Sequence, residues 1–129
     1  MAFNKRHIYI SALCTYIATV CILCFINPSS LPDAPKDFLG IGLDKIVHFL
    51  MFLPFPILTH LALSAKEKFI IIIFLGGCIF AAATEYIQGL TDYRSYDLAD
   101  LGTDILGLLF GSLITLIYST LTKRRNNDK

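Results

Sequence analysis

The sequence predicts an all-α integral membrane protein, a bundle of four transmembrane helices, from its composition and the spacing of its apolar residues. Of the 129 residues, 55% are hydrophobic and only 16% are charged, and the mean hydropathy is +0.64. A soluble domain of this length is far less apolar. The apolar residues form four runs, each near the ~20 residues that cross a ~30 Å hydrocarbon core. Short runs joined by tight loops cannot close a barrel, so helices must satisfy the backbone within lipid.

The first run follows a basic segment, "NKRH", which raises the possibility of a cleaved signal peptide. Its apolar region is longer than the ~7–15 residues of a signal peptide, and "NPSSLPDAPK" offers a poor cleavage site. We therefore expect an uncleaved anchor, and we expect residues 1–129 to form a single transmembrane domain. The spans are predicted at about residues 8–26, 46–63, 69–90 and 98–121.

The second run contains Pro54 and Pro56, which remove two backbone donors from the helix. The helix is expected to kink or open at this point. A cavity floor and a simple packing kink are both compatible with it.

Small residues cluster in the third and fourth runs, where they allow helices to approach closely. Gly76-Gly77, Ala81–Ala83 and Gly107-x-x-x-Gly111 are predicted to mark the contact between these two runs. An interface between copies in a homo-oligomer is the competing use.

The distribution of basic residues predicts the orientation. Eight of the 11 lysines and arginines lie at the N-terminus, between runs two and three, or in the C-terminal tail, and three lie on the other side. The positive-inside rule then places both termini in the cytoplasm, with a multi-pass location in the cell membrane. These cations meet anionic lipid head groups, so nucleic acid binding is not expected. The eight are Lys5, Arg6, Lys66, Lys68, Lys123, Arg124, Arg125 and Lys129; the three are Lys36, Lys45 and Arg94.

Acidic residues are concentrated in "TEYIQGLTDYRSYDLADLGTD", residues 84–104, at the predicted outer face. Glu85 and Gln88 share one face of the third helix, because residues three apart are neighbours there. Asp97, Asp100 and Asp104 form one stripe about 60° wide at ~100° per residue. Asp97 is a good N-cap. Asp104 lies two turns in, where a lipid-facing aspartate costs ~2.5–3.5 kcal/mol, so it is expected to face the bundle interior.

The second helix contributes Asp44, Lys45 and His48 at the same outer end. His48 faces a carboxylate-rich region, and its titration near neutral pH suits proton transfer or ligand binding. His60, nearer the cytoplasmic end, is predicted to be an ordinary, satisfied core group. The outer set has six acids against two bases, so some acids must be protonated, face water or hold a cation. The acids are Asp44, Glu85, Asp92, Asp97, Asp100 and Asp104, and the bases are Lys45 and Arg94.

Three segments of the chain resemble the VanZ-like membrane proteins: "DKIVHFLMF", "TEYIQ" and "YRSYDLADLGTDILGLLFG". They follow that family's order of Asp-Lys-x-x-His, Glu-x-x-Gln, then Arg with Asp-x-x-Asp, Asn and Gly-x-x-x-Gly. The resemblance covers about residues 44–111. It departs from the family pattern at Asp104, where the family usually has asparagine; the extra carboxylate either binds a cation more firmly here or is protonated.

The resemblance implies that the polar residues at these positions bind a ligand and that Gly107 and Gly111 are packing positions. The founding member of the family is linked to resistance to the lipoglycopeptide teicoplanin. The ligand-binding set is Asp44, Lys45, His48, Glu85, Gln88, Arg94, Asp97, Asp100 and Asp104.

Four functions fit these residues. The first is an envelope protein whose outward pocket engages an amphiphile, either teicoplanin or a lipid-linked precursor, among the membrane lipids. The second is a membrane-embedded enzyme with His48 and Glu85 as an acid–base pair, or with a divalent cation held by Asp97, Asp100 and Asp104; such oxygen ligands suit magnesium or calcium. A proton-coupled transporter and an inert ion-pair cluster are the remaining two.

Overall fold

The computed structural model describes residues 5–30, 37–38 and 40–127. Within them the regular secondary structure is helical apart from one hairpin of two-residue strands, and four of its helical segments are long and apolar enough to cross a membrane. The predicted all-helical fold, with four helical segments of membrane-spanning length, is therefore confirmed. The positions of the termini relative to the membrane stay a prediction, and Lys36 and Lys129, which enter that argument, lie outside the described residues.

The four segments of membrane-spanning length alternate in direction along the chain, and the second of them consists of two helices that run the same way. The helices are α1 (Lys5–Phe25), α2 (Leu43–Phe52), α3 (Pro54–Leu63), α4 (Ile70–Gln88) and α5 (Leu98–Asn127); the strands are β1 (Asp37–Phe38) and β2 (Ile41–Gly42). The strands pair antiparallel, with Phe38 opposite Ile41. Gly40, between them, has φ +79°, a conformation that glycine adopts without steric cost.

The second span is interrupted at Leu53, as the two prolines predict. Leu53 keeps right-handed helical angles, and Pro54 occupies the first turn of α3, where a missing N–H is tolerated. Just before the break, the carbonyl of Met51 accepts a hydrogen bond from the hydroxyl of Tyr16 on α1. A neighbouring helix is thus bonded to the backbone where the prolines disturb it.

The glycine pair of α5 packs against this break and not against α4. A Cβ on Gly107 would meet the backbone oxygen of Phe49, and one on Gly111 would meet the backbone oxygen of Leu53. The prediction that this pair marks the contact with the third span is therefore wrong. Gly77 does face the fourth span, because a Cβ there would meet the side chain of Leu108. The sequence could not distinguish these partners, since small residues permit close approach to any helix.

The two ends of the bundle differ in charge, and we name them accordingly. At the acidic end α1 and α4 finish and α2 and α5 begin; at the basic end α1 and α4 begin and α3 and α5 finish. Just beneath the acidic end lies a fully buried apolar layer that includes Phe52, Ala81 and Leu108. Each of these is four residues from a buried polar side chain, which places the apolar layer about one turn, ~6 Å, below a polar one.

Candidate site at the acidic end

The buried polar layer consists of His48 on α2, Glu85 on α4 and Asp104 on α5. Their exposed fractions are 5%, 2% and 1%. One ligand-type atom from each lies within 4.8 Å of the others. Three separate helices therefore bring an imidazole and two carboxyl groups to one point, and the expectation that Asp104 faces the interior is confirmed.

His48 lies between two aspartates of α5. Its Nδ1 is 2.9 Å from Asp104 Oδ1, and its Nε2 is 3.7 Å from Asp100 Oδ2. The first distance is that of a hydrogen bond, and the second is too long for one. An imidazole with a carboxylate at each nitrogen is in a position to take a proton from one side and pass it to the other.

Glu85 joins the end of α4 to the start of α5. Its Oε1 accepts the backbone N–H of Asp97 at 2.7 Å. Asp97 in turn accepts the backbone N–H of Ala99 with Oδ1 at 2.7 Å, so the predicted N-cap is confirmed. The buried carboxylate and the cap thus hold the α4–α5 connection in one geometry.

Lys45 lies above the buried layer and gathers the more exposed acids. Its Nζ is 3.1 Å from Asp100 Oδ1 and 3.7 Å from Asp97 Oδ2. Side-chain exposure falls in order from Asp97 (44%) through Lys45 (31%), Asp100 (15%) and His48 (6%) to Asp104 (1%). The result is a continuous chain of ionisable groups from the surface of the acidic end to its interior.

Several atoms of the site lack a hydrogen-bond partner among the described residues. Three buried atoms have no such partner: Glu85 Oε2, Asp104 Oδ2 and Arg94 Nε. A buried polar atom left unpaired costs about 1–3 kcal/mol, and more if it is charged. The two carboxylate oxygens therefore favour occupation by a proton, a water molecule or a metal ion.

The donor set fits a divalent ion, but differs from the predicted one. Of the three aspartates expected to hold a metal, only Asp104 belongs to the group of His48 and Glu85. Asp97 and Asp100 lie against the ammonium group of Lys45, which a metal ion would have to displace. One imidazole nitrogen with two carboxylates also suits zinc or manganese, whereas the all-oxygen set favoured magnesium or calcium.

The remaining predicted residues lie around the group. Asp44 has a 56% exposed side chain and pairs with Lys45 at 3.3 Å. Arg94 is half-buried, and Asp92 is exposed. Gln88 is buried, as expected for the face it shares with Glu85, but its Nε2 donates to the carbonyl of Cys24 on α1 at 2.9 Å. Its role in the structure is to hold α1.

Further buried polar groups lie toward the basic end, and two of them were not predicted as site residues from the sequence. Ser112 and Thr115 on α5 are 8% and 3% exposed, and Ser112 Oγ has no partner among the described residues. They lie eight and 11 residues after Asp104, a spacing that puts all three residues on one helix face. This spacing could have predicted from the sequence that they are buried together. His60 is 8% exposed, and its Nδ1 is unpartnered in the described chain, so the prediction of a satisfied core histidine is wrong.

Comparison with known proteins gives one result. The model of the VanZ/LLP1 family matches residues 8–119, which include all four spans up to the last turns of α5. Searches of curated proteins and of solved structures find no match.

Proposed function

The chain belongs to the VanZ/LLP1 family, and on that premise we propose that it is a cell-envelope membrane protein whose acidic end binds the head group of an amphiphile at the outer membrane face. The amphiphile is either a lipoglycopeptide such as teicoplanin or a lipid-linked envelope component. The orientation rests on the positive-inside rule, which turns the basic end toward the cytoplasm. Binding at this depth would contribute to resistance by competing for, or altering, the drug's target.

One observation carries the proposal. Arg94 presents a guanidinium whose Nε is buried and has no hydrogen-bond partner within the described residues. A guanidinium recognises carboxylate and phosphate groups through two parallel hydrogen bonds. Lys45 stands at the same end with its side chain 31% exposed. An anionic head group would pair with these cations, while the carboxylates of the site offer acceptors for hydroxyl and amine groups.

The test compares arginine variants in cells that express the chain and are challenged with teicoplanin. We expect Arg94→Ala to lower the inhibitory concentration, and Arg94→Lys to restore it only in part, because lysine lacks the planar donor pair. Arg124→Ala, at the opposite end of α5, is the matched control and should leave susceptibility unchanged. Equal susceptibility of Arg94→Ala and the parent chain, at equal membrane abundance, would contradict the proposal.

A second function, a membrane-embedded enzyme acting on a phosphate-bearing or lipid-linked substrate, is favoured by a different observation. Glu85 Oε2 and Asp104 Oδ2 are buried without partners in the described chain, beside the imidazole of His48. A divalent ion held there would supply Lewis-acid chemistry; in the version without a metal ion, His48 and Glu85 would move protons instead. Metal analysis of purified protein tests it: we expect close to one equivalent of zinc or manganese, reduced by Asp104→Asn and unchanged by Asp92→Asn. Metal-free protein that is insensitive to chelators would exclude this version.

A further inference from the structure

The basic end holds a cavity of about 670 Å³ between the α3–α4 connection and the last turns of α5. This volume lies within the ~300–1,000 Å³ typical of small-molecule sites. Lys66 and Lys68 line it from the connection, and Lys123 lines it from α5. The cavity lies at the opposite end of the bundle from the His48 site, so a ligand bound in it would be independent of the proposed function.

The charge of this cavity is positive and largely uncompensated. Among the described residues, no carboxylate forms an ion pair with Lys66, Lys68 or Lys123. The acid that lines the cavity is Glu67, and its Oε1 already accepts a hydrogen bond from Ser119 at 3.4 Å. Three ammonium groups around one carboxylate attract an anion.

A second, smaller cavity of about 250 Å³ adjoins the first and is lined mainly by apolar side chains. Ile57 and Leu61 of α3 form one side, and Ile114 of α5 forms another. His60 and Tyr118 line both cavities, so the apolar space and the basic one meet at these two side chains. A ligand that fills both must carry an anionic group at one end and a hydrocarbon chain at the other.

The shared wall contains a polar atom that a ligand would satisfy. His60 is 8% exposed, and its Nδ1 has no hydrogen-bond partner in the described chain. Buried polar groups are seldom left unpaired in native proteins. At the boundary between a basic and an apolar cavity, the group that meets this nitrogen is expected to be an ester or phosphate oxygen, where a lipid's head group joins its chain.

From these four features we propose that the two cavities form one binding site for an anionic glycerophospholipid. The phosphate lies among Lys66, Lys68 and Lys123, the ester region meets His60, and one acyl chain lies along Ile57, Leu61 and Ile114. The basic end is also where the positive-inside rule places the leaflet with which such head groups would interact.

The test uses the full chain in nanodiscs of zwitterionic phosphatidylcholine, with a fluorescent phosphatidylglycerol as the probe. A triple variant removes the cavity lysines together, Lys66→Gln, Lys68→Gln and Lys123→Gln. The matched control removes three cations at the same end that do not line the cavity, Lys5→Gln, Arg124→Gln and Arg125→Gln. We expect the cavity triple to weaken probe binding by roughly tenfold or more and the control by about twofold or less, because only the cavity cations contact the phosphate directly, whereas the control cations act on it through water and salt.

Two further arms separate the sources of the phosphate. Free glycerol phosphate at millimolar concentration should not displace the probe, whereas unlabelled phosphatidylglycerol should. Ile114→Trp, which fills the apolar cavity without removing a charge, should weaken probe binding by several-fold. If the cavity triple and the control triple lose probe binding equally, the loss reflects general surface charge, and the proposal is overturned. Displacement by glycerol phosphate, or full binding by Ile114→Trp, would also overturn the lipid assignment.

Discussion

His48 Nδ1 lies 2.9 Å from Asp104 Oδ1, and this contact joins the first turns of α2 to the second turn of α5 where both side chains are almost fully buried. It connects two helices whose backbones also touch one turn further in. The pair therefore has two roles: it belongs to the candidate site, and it holds α2 against α5.

Asp104→Ala is expected to destabilise the protein by about 1–3 kcal/mol, because it leaves the buried imidazole of His48 without its acceptor. Asp104→Asn keeps an oxygen acceptor and removes one negative charge, so its stability is expected within about 1 kcal/mol of the parent. Thermal unfolding in mild detergent measures both changes. Asp92→Ala is the control, since Asp92 is exposed. A loss as large in Asp104→Asn as in Asp104→Ala would contradict the hydrogen-bond explanation.

Glu85→Ala is expected to cost about 1.5–3 kcal/mol, because a charged acceptor is removed from the partly buried N–H of Asp97. Glu85→Gln retains an acceptor oxygen, and we expect it to recover most of that loss. Hydrogen exchange of the Asp97 amide provides the direct measurement. It should be fast in the alanine variant and slow in the glutamine variant, and equal protection in both would show that Glu85 does not hold this connection.

Gly111→Ala is expected to destabilise the bundle by about 1–3 kcal/mol, because the new methyl group would meet the backbone of Leu53, which cannot move aside as a side chain can. Gly102→Ala in the same helix is the matched control, because a Cβ there finds open space within 4 Å. That control should be neutral or stabilising by up to about 1 kcal/mol, since alanine favours helix. Unfolding by denaturing detergent compares the two, and equal effects would argue against the close approach.

Tyr16→Phe is expected to cost roughly 0.6–1 kcal/mol, the usual range for a hydrogen bond between membrane helices. The hydroxyl it removes donates to the carbonyl of Met51 beside the proline break. Tyr86→Phe is the control, because Tyr86 is 64% exposed. The same thermal unfolding assay applies, and a Tyr16→Phe variant as stable as the control would show that the break needs no support from α1.

Those features of the fold that depend on composition and helical spacing could be predicted from the sequence. Asp97, Asp100 and Asp104 do project toward α2, because three- and four-residue steps keep side chains on one face whatever the helix packs against. The interruption at Leu53 follows from the missing donor of Pro54 in the same way. Local rules suffice where the cause lies within one helix.

Relationships between helices could not be predicted in this way. Gly107 and Gly111 indicate a close approach, but the partner depends on how the four spans are arranged, which no local pattern records. For the same reason, Gln88 was grouped with the polar site although it bonds to α1. The metal-type group was expected among Asp97, Asp100 and Asp104, but it consists of His48, Glu85 and Asp104. Which carboxylates meet is decided by tertiary packing.

The carbonyls at the end of α1 also bear on how the protein is made. The carbonyl of Cys24 cannot accept a helical hydrogen bond from residue 28, because Pro28 lacks an N–H. The side-chain amide of Gln88 donates to this carbonyl instead. The hydroxyl of Tyr93 donates to the next carbonyl, that of Phe25, at 2.9 Å. Both donors are translated long after α1 has left the ribosome. These carbonyls of the first helix therefore gain their partners only after the chain as far as Tyr93 has been synthesised, so this helix end is completed late in biosynthesis.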